Sequence, residues 1–325
     1  MVAIDAPASP TDMNLAGQAI DQALAPASPA QGAYDPGLVR LEVLLDRAGF
    51  SPGVIDGHEG DNLSRAVAAY AQGRHLPAGP PDLVQAVLQS LVGQDRTPVM
   101  QTYQITPADT AGPFIGTPPK NYRALARLRA LSYSNPEQLL AEKFHMDRRL
   151  LEALNPGVDF GRPGATILVA SPRPVFRRYR ASRIEVDKSN DQVRAYGPDG
   201  QLAAVYPATV GSVERPAPSG RFAVRSVTRN PDYVYDPRRL TFRVKGARGK
   251  LTLRPGPNNP VGTTWIALSY PTYGIHGTPD PSLIGKRASH GCIRLTNWDA
   301  AELGRSVRKG VEVDFVGAET IPKTG

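Results

Sequence analysis

The sequence predicts an α+β multidomain chain. A mostly-β sandwich or barrel domain spans 175–317, preceded by a small three-helix module and a module of βααβ order. Three observations carry this. After Pro174, apolar and polar residues alternate with period two in short runs bounded by turn residues, as half-buried strands require. From Pro36 to Leu91, leucines and valines recur at helical spacing. From about 100 to 171 the order is strand, helix, turn, helix, loop, strand.

Taken in order, residues 1–34 are rich in Ala, Pro, Ser and Gln and offer too little apolar surface to offset the entropy of ordering. They read as a disordered linker, with room for a short helix over Leu15–Leu24. In the first module, 35–95, Leu38, Leu41, Leu44 and Leu45 mark a helix that stops at Gly49. A Gly-rich turn then leads to Asn62, the expected N-cap of a second helix carrying Leu63, Val67 and Tyr70. A third helix starts at Pro80-Pro81-Asp82 and runs to about Leu91.

The second module, 100–172, opens with a strand at Tyr103 and Ile105, followed by a loop of turn residues over 107–120. Leu139, Leu140 and Phe144 form one helical face, Leu150, Leu151 and Leu154 another, and Ile167–Val169 a closing strand. Ser171-Pro172-Arg173-Pro174 is a stiff junction. Strands follow within RIEVDKSNDQVRAYGPDGQLAAVYPATVG, RFAVRSVTR, KLTLRPG, TTWIALS and VEVDFV, spaced as in a small sandwich or barrel. One late helix, 297–307, is capped by Thr296 or Asn297, and 318–325 is a tail.

Composition narrows the function. The chain has 41% apolar and 21% charged residues over 325 positions, ordinary for globular protein and ample for a core. A net charge of +8 favours anionic partners, but the arginines are scattered and no basic cluster with interleaved aromatics occurs, so nucleic acid is not expected. An anionic cell-wall polymer or a membrane surface fits as well. No apolar run is long enough to span a bilayer, and the N-terminus lacks the pattern of a signal peptide. His58 and His75 lack a third metal ligand and read as surface residues.

The chemistry concentrates in Gly274–Leu295, which holds the sole cysteine, Cys292, and two of the five histidines, His276 and His290. One cysteine forms no internal disulfide, and three donors are one short of a closed tetrahedral zinc site, so no metal or cofactor is expected. A thiol near imidazoles suits nucleophilic catalysis, provided a base or positive field assists its ionisation. His290 can share a face with Cys292 on an extended segment, whereas His276 reaches it only if the intervening loop folds back. Spacing alone leaves the base open between the two.

The run His276, a variable loop, Ser289, His290, Gly291, Cys292, Ile293 and Arg294 resembles the active-site signature of the L,D-transpeptidases of the YkuD domain family. Twelve residues separate His276 from Ser289, the short end of the family spacing. The resemblance covers about 176–316, including PNNPVGTTWIALSYPTYGIHGT. It implies that Cys292 attacks a carbonyl, that His276 takes the thiol proton, and that backbone N–H groups around Gly291 and Cys292 hold the oxyanion. Ser289 and His290 would support the hydrogen-bond network. Arg294, Tyr273, Gly277, Trp265 and Asn259 are the expected substrate contacts.

The first module is similar to a type 1 peptidoglycan-binding unit and the second to a LysM repeat, from which its long 107–120 loop departs. Together these resemblances imply a cell-envelope (periplasmic) enzyme acting on peptidoglycan, its stem peptides and glycan, with carbapenem β-lactams as covalent inhibitors. The implied reaction is 3→3 cross-linking. Water, giving a carboxypeptidase, and an outer-membrane protein are alternative acyl acceptors.

Overall fold

The computed structural model describes residues 9–27, 32–77, 79, 82–172, 179–211, 216–238, 249–286 and 292–319. The helices are α1 (Pro10–Gln22), α2 (Pro36–Ala48), α3 (Asp61–Gly73), α4 (Leu83–Gln94), α5 (Pro107–Thr110), α6 (Tyr122–Leu125), α7 (Pro136–Lys143), α8 (Arg148–Leu154) and α9 (Asn297–Ser306). The strands begin with β1 (Met100–Gln104), β2 (Thr166–Ala170), β3 (Arg183–Asp187), β4 (Gln192–Tyr196), β5 (Leu202–Pro207) and β6 (Gly220–Arg229). They continue with β7 (Tyr233–Tyr235), β8 (Leu251–Leu253), β9 (Thr264–Leu268), β10 (Gly274–His276), β11 (Ile293–Arg294) and β12 (Glu312–Val316). Two compact units result: Met1–Gly112 with Asn135–Pro174, and Pro113–Ser134 with Val175–Gly325.

In the first unit the N-terminal stretch departs from the expected linker, because 10–22 is a docked helix. Ser9 and Asp12 cap α1 reciprocally, Met13 and Ile20 are buried, and Asp21 accepts from the N–H groups of Val99 (2.7 Å) and Met100 (3.1 Å). Only two large apolar residues are buried in this helix, too few to make a clear stripe in sequence. The Asp35 carboxylate caps α2 through Gly37 and Leu38, and Gly49 ends it at φ 88°, the left-handed region. Gly60, not Asn62, is the N-cap of α3, and it supplies no side-chain bond.

The antiparallel pair β1–β2 and helices α7 and α8 complete this unit. The buried Asn155 amide donates to the carbonyls of Leu151 and Leu168 and accepts from the Leu168 N–H, tying the turn after α8 to β2. The two modules separated in the sequence reading are joined by backbone bonds, Ile55 N–H to His145 O and Asp147 N–H to Ile55 O.

The second unit holds an eight-stranded mixed sheet of order β11-β10-β9-β6-β12-β3-β4-β5, with parallel pairs at β10–β11 and β12–β3, and a separate antiparallel pair, β7–β8. The large sheet curls enough that its two edges meet: Thr209, just past β5, exchanges both backbone hydrogen bonds with Arg294 of β11 (2.9 and 3.1 Å). This closure satisfies edges that would otherwise stay unpaired. The Thr296 hydroxyl caps α9, which packs over β9 with Gly304 against Thr264 and Val227.

One stretch belongs elsewhere than the sequence reading put it. Residues 113–134, read as part of the second module, group with the β-sheet unit. Leu125 and Leu131 share a small core with Leu253 of β8, and Leu131 N–H donates to Pro255 O. Of the other sequence expectations, Pro80–Pro81, Arg173–Pro174 and 320–325 lie outside the described residues.

Candidate active site

The site grows from the strand β10. It pairs antiparallel with β9 (Ile275 opposite Ile266, His276 opposite Trp265) and parallel with β11 (Ile275 opposite Ile293, His276 opposite Arg294). Side chains alternate between faces along a strand. Ile266, Ile275 and Ile293 point into the core, each 0% exposed, which places Trp265, His276 and Arg294 on the opposite face. Cys292, just before β11, is half-buried, packs against the main core and lies next to Gly274, whose backbone bonds its sulfur. The fold thus sets His276 on β10 and Cys292 at the start of the neighbouring β11 segment, despite fifteen intervening positions. Among residues with described placement, His276 is the base candidate. Ser289, His290 and Gly291 lie outside the described residues.

His276 is buried, and its Nδ1 donates to the Gly277 carbonyl at 2.7 Å. That bond fixes the neutral tautomer and leaves the Nε2 lone pair free to accept a proton. Burial is the main reason its pKa falls to about 4; the Gly277 bond opposes this and the Arg294 charge adds to it. Burial also pushes the half-buried Cys292 thiol up, against smaller downward pulls from a Gly274 backbone hydrogen bond and from Arg294. At neutral pH the resting pair is therefore thiol and neutral imidazole.

Two residues that the sequence reading did not assign to the site shape this geometry. A Cβ on Gly274 would lie 2.7 Å from Trp265 Cζ2, so only glycine lets the indole lie parallel to the His276 ring, with centroids 5.4 Å apart and planes 20° apart. Asn297, at the start of α9, is buried, and its Oδ1 accepts from Thr263 N–H while lying where a Cβ on Gly262 or Gly277 would collide with it. It thereby packs against the residue whose carbonyl accepts from His276. The sequence signals were a glycine inside a strand and an asparagine at a helix start, each with a commoner reading as turn or cap.

The expected substrate contacts separate. Trp265 and Arg294 stand on the same face of the sheet as His276. Gly277 acts through its backbone carbonyl. Tyr273 is buried in the main core against Tyr270 and Phe315, its phenol raised by burial and then by the nearby Cys292. Asn259 does not line a groove. It is 0% exposed, its amide donating to the carbonyls of Pro231, Leu253 and Arg254 and its Oδ1 accepting from Val261 N–H. Among the described residues no group of three or more His, Cys, Asp or Glu side chains could hold a metal.

The sheet unit carries a thiol and a neutral imidazole on neighbouring segments, and sequence similarity supplies the class and the family. A profile for the L,D-transpeptidase catalytic domain, YkuD, matches residues 181–314. The YkuD protein of Bacillus licheniformis, which carries an L,D-transpeptidase name, is 32% identical over 179 residues, 54% of this chain and 90% of that protein. The chain belongs to the YkuD family of L,D-transpeptidases. The ErfK/SrfK protein of Escherichia coli, also named for this activity, is 31% identical over 172 residues, 51% of this chain and 54% of its own length. Among solved structures, L,D-transpeptidase 1 of Mycobacterium tuberculosis is 21% identical, covering 48% of this chain and 68% of that one at a TM-score of 0.32. A further solved structure, LdtMt1 in complex with imipenem, is 20% identical over 47% of this chain and 63% of that chain, at a TM-score of 0.34. The family assignment stands on the sequence similarity.

Proposed function

We propose that the chain is a peptidoglycan L,D-transpeptidase that works through a Cys292 thioester and forms 3→3 cross-links between tetrapeptide stems. What supports this reading is that Cys292 leads into β11, the parallel neighbour of β10, which carries His276, whose Nδ1 is held by Gly277 so that Nε2 can serve as the base. Sγ bonds to the carbonyl carbon at the L-centre of the stem's diamino acid. The amide bond to the terminal D-Ala breaks, and its amine leaves with the proton that His276 took from the thiol. A side-chain amine of a neighbouring stem then attacks the thioester, gives its proton to His276, and the thiol is regenerated with the new amide.

Trp265 and Arg294 bound the donor stem on the face that carries His276, and backbone N–H groups at Gly291 and Cys292 hold the oxyanion, with Ser289 and His290 in support. The two N-terminal modules hold glycan, and the enzyme works in the cell envelope. Carbapenems acylate the same thiol. The test is the mass of products from a purified disaccharide-tetrapeptide. A cross-linked dimer one D-Ala lighter than two stems supports transpeptidation, a tripeptide stem alone supports a carboxypeptidase, and no change refutes the substrate. Water is the simplest competing acceptor, and an outer-membrane protein's N-terminus is another; both use the same acyl-enzyme.

A further inference from the structure

Thr209, just past β5, is set in place by its neighbours. Ala208 and Val210 are buried in the main core, and the Ala208 N–H donates to Asp191 O at 2.7 Å. On an extended segment the side chain between them points the other way. Thr209 and Arg294 exchange both backbone hydrogen bonds, so they stand directly opposite in an antiparallel bridge and their side chains share a face of the sheet. That is the face on which His276 and Trp265 stand.

Thr209 is only 4% exposed, and its hydroxyl has a specific partner: Oγ1 accepts from the Gly285 N–H at 3.0 Å, across 76 positions of sequence. Gly285 follows the single helical turn Pro281–Leu283 and sits at φ 72°, a conformation that glycine adopts without strain. Ile284, beside it, is buried. The stretch from Gly285 to Arg294 therefore has both its ends on one residue, Gly285 on the Thr209 hydroxyl and Arg294 on the Thr209 backbone. Cys292 belongs to that stretch, two positions before Arg294.

We infer that Thr209 is a positioning residue for the nucleophile candidate: its hydroxyl pins the Gly285 end of the segment and its backbone pins the Arg294 end, which keeps Cys292 in register with β10. The inference deepens the proposed acyl-transfer reading, and its effect on rate rests on that reading.

The test compares full-length wild type with Thr209→Val, which keeps the shape and the backbone pair but drops the hydroxyl, and with Thr209→Ser, which keeps the hydroxyl. Val313→Ala on β12 thins the same core in mid-sheet and controls for lost stability. Two quantities are measured well below the Tm of every variant: amide exchange in peptides covering 283–295, and the second-order rate of acylation by imipenem, read by intact mass. Loss of one hydrogen bond predicts exchange about tenfold faster within 283–295 in Thr209→Val. Acylation should fall by about 10–10²-fold, as a misplaced catalytic group requires. Thr209→Ser should stay within about threefold of wild type on both measures and Val313→Ala on acylation, because neither removes the hydroxyl.

If Thr209→Val misfolds, Thr209→Ala, which also lacks the hydroxyl, is read in the same way. Exchange and acylation that both match wild type in the folded variant overturn the inference. Faster exchange with unchanged acylation also overturns it, since the bond then serves loop stability alone. If imipenem leaves wild type unmodified, the acyl-transfer reading fails, and exchange alone decides the clamp: faster in Thr209→Val supports it, unchanged overturns it.

Discussion

Gly274→Ala tests whether the glycine inside β10 is there for the sake of Trp265 and His276. The added Cβ would meet Trp265 Cζ2 at 2.7 Å, Cε2 at 2.8 Å and the Ile266 carbonyl oxygen at 2.8 Å. Carbon atoms pack at about 3.5–4.0 Å, so the indole has to withdraw by roughly 1 Å. The Ile266 carbonyl belongs to the β9 backbone and cannot swing aside without disturbing the sheet. Overpacking of this kind costs about 1–3 kcal/mol, which lowers Tm by about 2–4 °C per kcal/mol in a unit of this size. Withdrawing the indole also releases the ring stacked on His276, and a misplacement of about 1 Å at a catalytic group costs roughly 10² in rate.

The assay is the second-order rate of carbapenem acylation by intact-protein mass spectrometry, with Tm measured alongside. Adding Trp265→Phe removes two of the three clashing atoms and should restore part of the lost rate, so that the double variant is better than the sum of the singles. Acylation by Gly274→Ala within about threefold of wild type, at an unchanged Tm, would refute the reasoning.

Other expectations follow from the same structure. Since burial lowers His276 to about 4 and raises the Cys292 thiol, alkylation should climb in one step as pH rises past the ordinary thiol range. A plateau of high reactivity between about pH 5 and 7 would instead indicate a resting thiolate–imidazolium pair. His276→Ala should lower acylation by about 10²–10⁴-fold, checked by the same mass assay; a loss under tenfold would remove it as the base. In the first unit, burial alone would raise Asp109, but hydrogen bonds from Tyr103, Thr106 and Lys143 hold its carboxyl well below the usual range. A depressed carboxylate contributes stability above its unfolded pKa and loses it as pH falls. Asp109→Asn should therefore cost about 2–3 kcal/mol at neutral pH and flatten the acid limb of the unfolding curve. A chain beginning at residue 175 lacks Leu125 and Leu131 beside Leu253, and should be less stable than one that retains 113–134 by about 1.5–3 kcal/mol per lost side chain, measured by denaturant unfolding.

Much of this architecture was legible because its signals are local. Alternation in RIEVD, QVRAY and VEVDFV sets which face of β3, β4 and β12 is buried, and Thr296 and Gly49 announce helix ends through their own chemistry. The signature around Cys292 was legible as a motif, but its geometry was not. The parallel pairing of β10 with β11 joins residues across a loop that has no periodicity, and only the sheet puts His276 opposite Arg294, on the strand next to the segment that begins at Cys292. Residues 113–120 were read as part of a loop of turn residues and 121–134 were given no element, because their anchor, Leu131 against Pro255, joins positions far apart in the chain and leaves no pattern within 113–134. Asn259 was expected on the groove for its place in a family-like block. It serves instead as a backbone staple, and an amide looks the same in sequence in either role. Helix α1 was allowed only as a short helix over Leu15–Leu24 in a linker, and its docking went unread because composition dominated two buried residues.

The most direct test of the Cys292–His276 pair is the acyl-enzyme itself. Full-length protein is incubated with disaccharide-tetrapeptide, quenched in acid and analysed by intact mass and peptide mapping, alongside Cys292→Ala. The account predicts a single adduct equal to the stem minus its terminal D-Ala, on the peptide containing Cys292 and missing from the variant. An adduct on any other residue, or one that persists in Cys292→Ala, would contradict it.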